Sequence, residues 1–534
     1  MAAYSPQNST SPGRAARRAL TGLLTAVIAG CAPAANGPLN IGALSVDAIA
    51  ASSGVTPECY QIPGALPYEL PAHAQRVVQA GASGADTYAT IQGAVSAAQP
   101  GDTILVRPGV YRESVTVRTS DITLWGLPGA VISGANRVDA WSKDAGGNAW
   151  TAPLAAPPSS GGQCRDGVNC SSAIALYLDG LPLRRVTPNA ALGPKDFSYT
   201  GGRVRVVINP GGHTFEAPAR AYWLHGEKAN NVTVRGLAFS VALPPTQRGG
   251  LENGGGNAWR ITGNDLAYSH AAGAYLDGEN VVFAGNRVHE NGQEGLASGF
   301  SRGLRVQGNV LACNNTAGFD PFWEAGGAKF SRAHGLVVSD NSVYGNDGPG
   351  LWCDIDCDGI EFSHNRSYSN SRQGLHVEIS RNAVINGNTV WSNGRGDPYP
   401  GAGAGILLQN TSGSRVTGNI VAWNAVGIGI IEHDRGPSHP ASGNEVSGNT
   451  VISNGGSLIS LVFTQGGGNL GTNRVSGNRV WVGSNAAGFE YGIGTLDLNG
   501  FSNLTGGGVQ LLSTGERNAA LTAAGLPLQP AQAQ

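Results

Sequence analysis

Charge is scarce in this sequence: Asp, Glu, Lys and Arg make up 13% of its 534 residues. Surface helices carry their solvent faces on such residues, so the scarcity argues against a helical protein. Methionine is nearly absent, with one residue, and aromatics reach only 7%. No stretch is long and apolar enough to span a bilayer as a helix. No basic footprint for nucleic acid exists, since the formal net charge is −2. What is present is Gly, 81 residues of it, with frequent Asn, Val and Thr. That composition suits many short strands joined by tight turns. Apolar residues recur regularly and net charge is small, which excludes disorder for most of the chain.

The N-terminus follows its own pattern. Arg14, Arg17 and Arg18 precede an apolar run, ALTGLLTAVIAG, over residues 19–30. The run is too short to cross a membrane. It ends in Ile28-Ala29-Gly30-Cys31, which resembles a bacterial lipobox. The resemblance implies a signal peptide over 1–30, lipidation of Cys31 and a tether over 31–75, rich in Ala, Ser, Gly and Pro. The expected location is then outside the cytoplasm, as a cell-surface or outer-membrane lipoprotein or a secreted chain. The lipid would be its one contact with a membrane. Losing three Arg and no acidic residue takes the net charge from −2 to −5. Six further Cys, an even number in an exported chain, point to disulfides. Cys164–Cys170 and Cys353–Cys357 are the expected local pairs. Zinc at Cys353 and Cys357 is the alternative, but no second Cys/His pair follows at finger spacing.

Residues 76–140 read as an N-terminal cap and the first coils of a solenoid. Tyr88, Ile91, Ala94, Val95 and Ala98 have helical spacing, with Asp86 or Thr87 as N-cap. Residues 141–220 break the pattern with hairpin-like runs and read as a small inserted β subdomain. From 221 to 515 a repeat dominates: GNDLAYS, GNRVHEN, GNVLACN, DNSVYGN, HNRSYSN and their successors. Its leading Asn residues are 264, 286, 309, 341, 365, 388, 419, 449 and 478. A period of 22 to 24, lengthened in single coils, marks a stacked solenoid. Asn suits the left-handed corner between strands, and its amide can bond its copy one coil away. Residues 516–534 read as a C-terminal cap and tail.

The period and the Asn corners resemble the pectate-lyase-like superfamily of right-handed parallel β-helices. The resemblance covers roughly residues 86–515 outside the insertion. It implies an all-β solenoid whose open end is plugged by the N-terminal helix. It leaves function open, because that superfamily holds lyases, hydrolases, epimerases, esterases, tailspikes and adhesins.

Alternation sets which side chains face outward, and stacked coils put equivalent residues about 4.8 Å apart. Aligning the strands places Lys329, Trp352 and His376 in one outward stack. Asp354 and Glu378 form the next, with Asp356 beside them and Gln409 following. Glu432, His433 and Asp434 continue it in poorer register, and Tyr275, Asp277 and Glu294 lie on earlier coils. A long insertion carrying Asp320 and Glu324 would wall the groove. Such a line suits a sugar polymer, with Trp352 stacking on a ring and the cations meeting uronate carboxylates.

Three readings follow. In a lyase, Lys329 or His376 abstracts a proton, and Ca²⁺ on Asp354, Asp356 and Glu378 neutralises a uronate carboxylate. In a hydrolase, Asp354 and Glu378 act as the carboxylate pair. In the third, the face binds glycans without chemistry, as an adhesin does. Lyase chemistry on a uronate-containing polysaccharide is the first expectation, with the chain a monomer. Gly318-Phe319-Asp320-Pro321 also resembles part of the Tyr-Gly-Phe-Asp-Pro-His motif of alginate C5-epimerases, with Ala317 and Phe322 in place of its Tyr and His.

Overall fold

The computed structural model describes residues 70–530, except 83, 395–402, 434, 436–438, 454–456, 464–469, 484–487, 493 and 506–507. Cys31, with the rest of 1–69, lies outside the described residues, as does Asp434. Three long sheets of 14, 13 and 13 strands run the length of the molecule. Neighbouring strands within them pair in parallel, one coil after another, save the last strand of one sheet, Gly494–Leu496, which pairs antiparallel. Most strands are three to five residues long, so none buries much apolar surface alone. Stacking buries it: one continuous core threads Ile104, Leu124, Val234, Ile261, Phe283, Val306 and their equivalents through the coils. Among the described residues no helix is long and apolar enough to cross a membrane.

Amide ladders set the corners. The backbone N and Nδ2 of each repeat Asn donate to the Oδ1 of the next, from Asn264 through Asn286, Asn309 and Asn341 onward to Asn478. The left-handed position belongs to the residue before each Asn. Gly263, Gly285 and Gly308 take φ of 62° to 64°, and Asp340 and His364 adopt 59° and 55° in the same place. The Asn itself is therefore free to turn inward and bond along the stack. A second ladder, Asn291–Asn314–Asn346–Asn370–Asn393–Asn424, marks the next corner. A glycine must face it: a Cβ on Gly374 would lie 2.7 Å from the Asn393 amide. Both ladders satisfy buried amides that would otherwise each cost about 1–3 kcal/mol.

A helix, α1 (Ile91–Ala97), closes the N-terminal end with Ile91, Ala94 and Val95 in the core. Its N-cap is Thr90, whose side chain accepts from Gly93, rather than Asp86 or Thr87. Asp86 takes φ 55°, and Thr87 and Tyr88 pair as a strand. At the other end, α2 (Leu498–Thr505) sends Phe501 into the core against Phe489. The capped helix α3 (Thr514–Ala523) lies outside the solenoid instead, with Leu521 packed on Trp423 and Ile452. The insertion forms a five-stranded and a four-stranded sheet between Ala135 and Pro218, around Phe197, Val204 and Phe215.

Five consecutive strands of one 13-stranded sheet position the candidate site: β1 (Glu294–Ser298), β2 (Gly326–Ser331), β3 (Leu351–Asp354), β4 (Leu375–Glu378) and β5 (Ala404–Gln409).

Candidate active site

Register builds the site. Lys329 of β2 pairs with Trp352 of β3, and Trp352 with His376 of β4. Two positions on, Ser331, Asp354, Glu378 and Gln409 follow one another. Both columns expected from the alternation are thus present. The first begins beside Ala297 and ends at Leu407, so its polar part is three coils long.

The columns do not line an open groove. Lys329, Trp352, Asp354, His376 and Glu378 are each only 4–7% exposed. The segment 315–325 packs against them, and the insertion braces that segment. Phe319, Trp323 and Ala325 pack on the disulfide-bonded Cys164 and Cys170. The backbones pair as well, with Arg165 donating to Gly318 and Asp320 to Gln163 at 3.1 and 3.0 Å. Lys329 Nζ then donates to the Trp323 carbonyl at 3.0 Å and to Glu324 at 2.8 Å. Cys353 and Cys357 are also disulfide-bonded and sit in the core beneath β3.

Trp352 offers no sugar platform. Lys329 Nζ lies 3.7 Å from its ring centroid, and the His376 ring stacks at 5.3 Å with planes 12° apart. These neighbours belong to the preceding and following coils, so stacking takes both faces of the indole.

The electrostatics divide the roles. Burial alone would depress Lys329, but Glu324 and Asp354, with Glu294 nearby, hold it above its ordinary value. Paired with Glu324 at 2.8 Å and Asp354 at 3.0 Å, it is held as an ammonium in the free protein. Burial pushes His376 well below its ordinary value, and Arg372, Lys329 and Arg435 push it further against Gln409. Its imidazole is neutral, and neither ring nitrogen has a hydrogen-bond partner of good geometry among the described residues. Burial and the Asp354 carboxylate raise Glu378 to about 7, against the pull of Arg435 and Lys329. Its Oε1 accepts from Arg435 at 2.5 Å and Gln409 at 2.9 Å. Asp354 Oδ2 meets Lys329 at 3.0 Å, while Oδ1 has no partner among the described residues.

Calcium does not fit these residues. Asp356 is exposed at a turn with φ 58°, away from the two buried carboxylates. Lys329 and Arg435 already counter Asp354 and Glu378. Among the described residues no three His, Cys, Asp or Glu side chains gather as cation ligands. Calcium needs several free hard oxygens.

Other expected residues serve the fold. Asp320 Oδ1 accepts from the Phe322 N–H and holds the turn. Glu432 accepts from Ala441, and Asp277 accepts from Gly299 and Phe300. Two side chains that the register did not place in the site, Arg435 and Arg372, belong to it, and so does Glu294, which the register put on an earlier coil. Arg435 bonds Glu378 from 57 residues away in sequence. Arg372 lies over Phe322 at 3.3 Å and depresses His376. Glu294, at the start of β1, is buried, and neither of its oxygens has a hydrogen-bond partner among the described residues. Burial and Glu324 raise it well above its ordinary value. Its one sequence signal is a carboxylate opening the coil before Lys329.

No curated protein matches the sequence. The family described as "Right handed beta helix region" matches residues 250–421. Among solved structures, that of XylC in complex with xylose is similar at 15% identity and a TM-score of 0.60, covering 78% of this chain and 86% of that one. The mannuronan C-5 epimerase AlgE6 A-module from Azotobacter vinelandii is similar at 16% identity and a TM-score of 0.49, covering 79% and 94%. With its three stacked parallel sheets and this match, the chain is a right-handed parallel β-helix protein.

Proposed function

We propose that this protein is a polysaccharide-active enzyme that hydrolyses a glycosidic bond with Asp354 and Glu378. One observation carries the reading: two carboxylates on adjacent coils differ in state. Asp354 is ion-paired with one oxygen free, and Glu378 is raised to about 7. Adjacent coils are about 4.8 Å apart, which suits a retaining pair at about 5–5.5 Å. Glu378 gives its proton to the glycosidic oxygen as the bond to C1 breaks, and Asp354 Oδ1 bonds C1. Glu378, now ionised, then takes a proton from water as that water displaces Asp354. Lys329 offsets the charge on Asp354 in the free enzyme. Arg435, with 40% of its side chain exposed, marks the side from which substrate reaches the pair. The fold is shared with XylC, whose complex holds xylose.

A specific feature supports β-elimination as the second reading. His376 is neutral, with no hydrogen-bond partner of good geometry for its nitrogens among the described residues, and Lys329, Arg372 and Arg435 lie near enough to lower it. A uronate carboxylate suits those cations and the imidazole suits a base. Incubating the protein with neutral and uronate polysaccharides, with calcium and with chelator, separates the readings. Hydrolysis gives reducing ends with the anomeric configuration retained, no absorbance near about 235 nm, and the same rate with chelator. Absorbance at that wavelength, the mark of the unsaturated sugar left by proton abstraction, selects elimination. Retention of a glycan with neither product leaves an adhesin.

We further propose export and lipidation at Cys31. The N-terminal Arg and apolar runs support it, and so do disulfides in a chain of this kind. Cys31→Ala should release the protein from membranes to the soluble fraction, and unchanged fractionation would remove the anchor.

A further inference from the structure

A cleft of about 760 Å³ separates the inserted subdomain from the solenoid corner. Ligand sites favour such junctions and such volumes, about 300–1,000 Å³. Its walls are largely apolar, with Ile174, Leu183 and the edge-to-face pair Tyr177 and Tyr268 at 5.6 Å. Ser269, 2% exposed, lines it with a buried hydroxyl that has no partner among the described residues. Such a hydroxyl is costly unless a ligand or water meets it.

Charge tells what the cleft takes. Glu290 lines it, but its carboxylate meets His289 at 3.1 Å, and His289 meets Asp265 at 2.9 Å. Arg287 also bonds Asp265, at 2.5 Å. Two cations and two anions balance there. Arg184 is matched by Asp196 at 2.8 Å. Arg185 has a hydroxyl, Ser172, at 2.8 Å and the Tyr199 ring at 5.8 Å as its partners, with no carboxylate. Lys195 has no ion-pair partner among the described residues and is exposed. The surplus at the mouth is therefore positive.

We propose that this cleft is a second carbohydrate site, for an oligosaccharide bearing a carboxylate or sulfate. Tyr177 and Tyr268 supply ring faces or edges, Ser269 a buried hydrogen bond, and Arg185 and Lys195 the anion contacts. Thr316 and Ala317 line its far wall. They open the segment that carries Glu324 to Lys329, so a chain held in the cleft touches the segment covering the carboxylate pair. The site stands independently of which reaction that pair performs.

Calorimetric titration of the whole protein with a uronate oligomer, a sulfated oligomer and a neutral oligomer of equal length tests the proposal. One or both anionic oligomers should bind, the neutral one at least about tenfold more weakly, since two close charges are lost. Comparing the uronate and sulfated arms assigns the anion. The double variant R185E/K195E, exposed and fold-safe, should weaken anionic binding by about tenfold or more. Ala175→Trp, which fills the cleft, should do the same. Turnover of a small neutral aryl glycoside should be unchanged in both. No anionic binding by the parent protein, or affinity unchanged in both variants, overturns the site while leaving the proposed hydrolysis untouched. Loss of aryl glycoside turnover in Asp354→Asn, with oligomer binding kept, bears on the reaction alone.

Discussion

Two parts of one sheet face carry similar residue types and treat them oppositely. On the earlier coils, His225, Arg248, Tyr275 and Asp277 line an open cleft of about 620 Å³. Their polar groups are spent on the fold. Glu252 accepts from Arg248 at 2.5 Å and from the Gly249 N–H at 3.0 Å. Asp277 holds two backbone N–H groups at 2.9 Å, and Arg248 covers Tyr275 at 4.3 Å. Around β1 to β4 the face is closed, yet the Glu294 oxygens, Asp354 Oδ1 and the His376 nitrogens have no hydrogen-bond partner of good geometry among the described residues. Each such group costs about 1–3 kcal/mol, whereas in the open cleft the Nδ1 of His225 lies 3.3 Å from a Glu252 oxygen. Openness is thus a poor guide to chemistry here. The sealed part concentrates shifted carboxyls and unsatisfied polar atoms, which is the signature of a site arranged for a reacting partner.

The largest effect expected from this contrast is on turnover. Glu378→Gln removes the proposed acid and should lower kcat/KM by about 10²–10⁴-fold. Tyr275→Phe in the open cleft should leave it within about threefold. Equal losses, measured on one substrate, would erase the distinction between the two regions. Stability should separate charges in the same manner. Lys329→Met strands Glu324 and Asp354 in a buried setting and should cost about 3–5 kcal/mol in denaturant unfolding. Arg118→Ala, which breaks the exposed pair with Glu227, should cost no more than about 1 kcal/mol. A Lys329 variant as stable as the Arg118 variant would mean the cluster is wetter than its burial indicates.

The solenoid was legible because each coil repeats its own signal. Asn264 to Asn478 mark corners at a basal spacing of 22 to 24 that is lengthened in some coils, and alternation then fixes the columns of Lys329 and Asp354. The second ladder was equally legible, since an Asn follows five residues after most of the first. Burial was not legible. Whether Lys329 faces water depends on where segment 315–325 goes, and the insertion that braces it lies some 150 residues earlier through Cys164 and Cys170. Arg435 was hidden for a related reason. It lies outside the repeating strands, where register says nothing. Repeats encode contacts between neighbouring coils, and the site's cover is made of non-repeating chain.

Arg435 gives the finest test of the contrast, and the smallest effect, because its side chain is 40% exposed. It pulls Glu378 down, so Arg435→Ala should raise Glu378 above its parent value of about 7. If Glu378 is the acid, the alkaline limb of kcat/KM moves to higher pH in that variant. A limb that stays in place assigns it to another group. Folding gives an independent reading of the same proton. Glu378 is raised from an ordinary value near 4.5 to about 7, so the folded chain keeps a proton that the unfolded chain has lost. Stability from this group is therefore intact below about 4.5 and falls as pH rises through about 7. Arg435→Ala should steepen and extend that fall, and Glu378→Gln should abolish its share. A flat profile in the parent protein would show that folding does not raise Glu378, and the difference between the two regions would then rest on geometry alone.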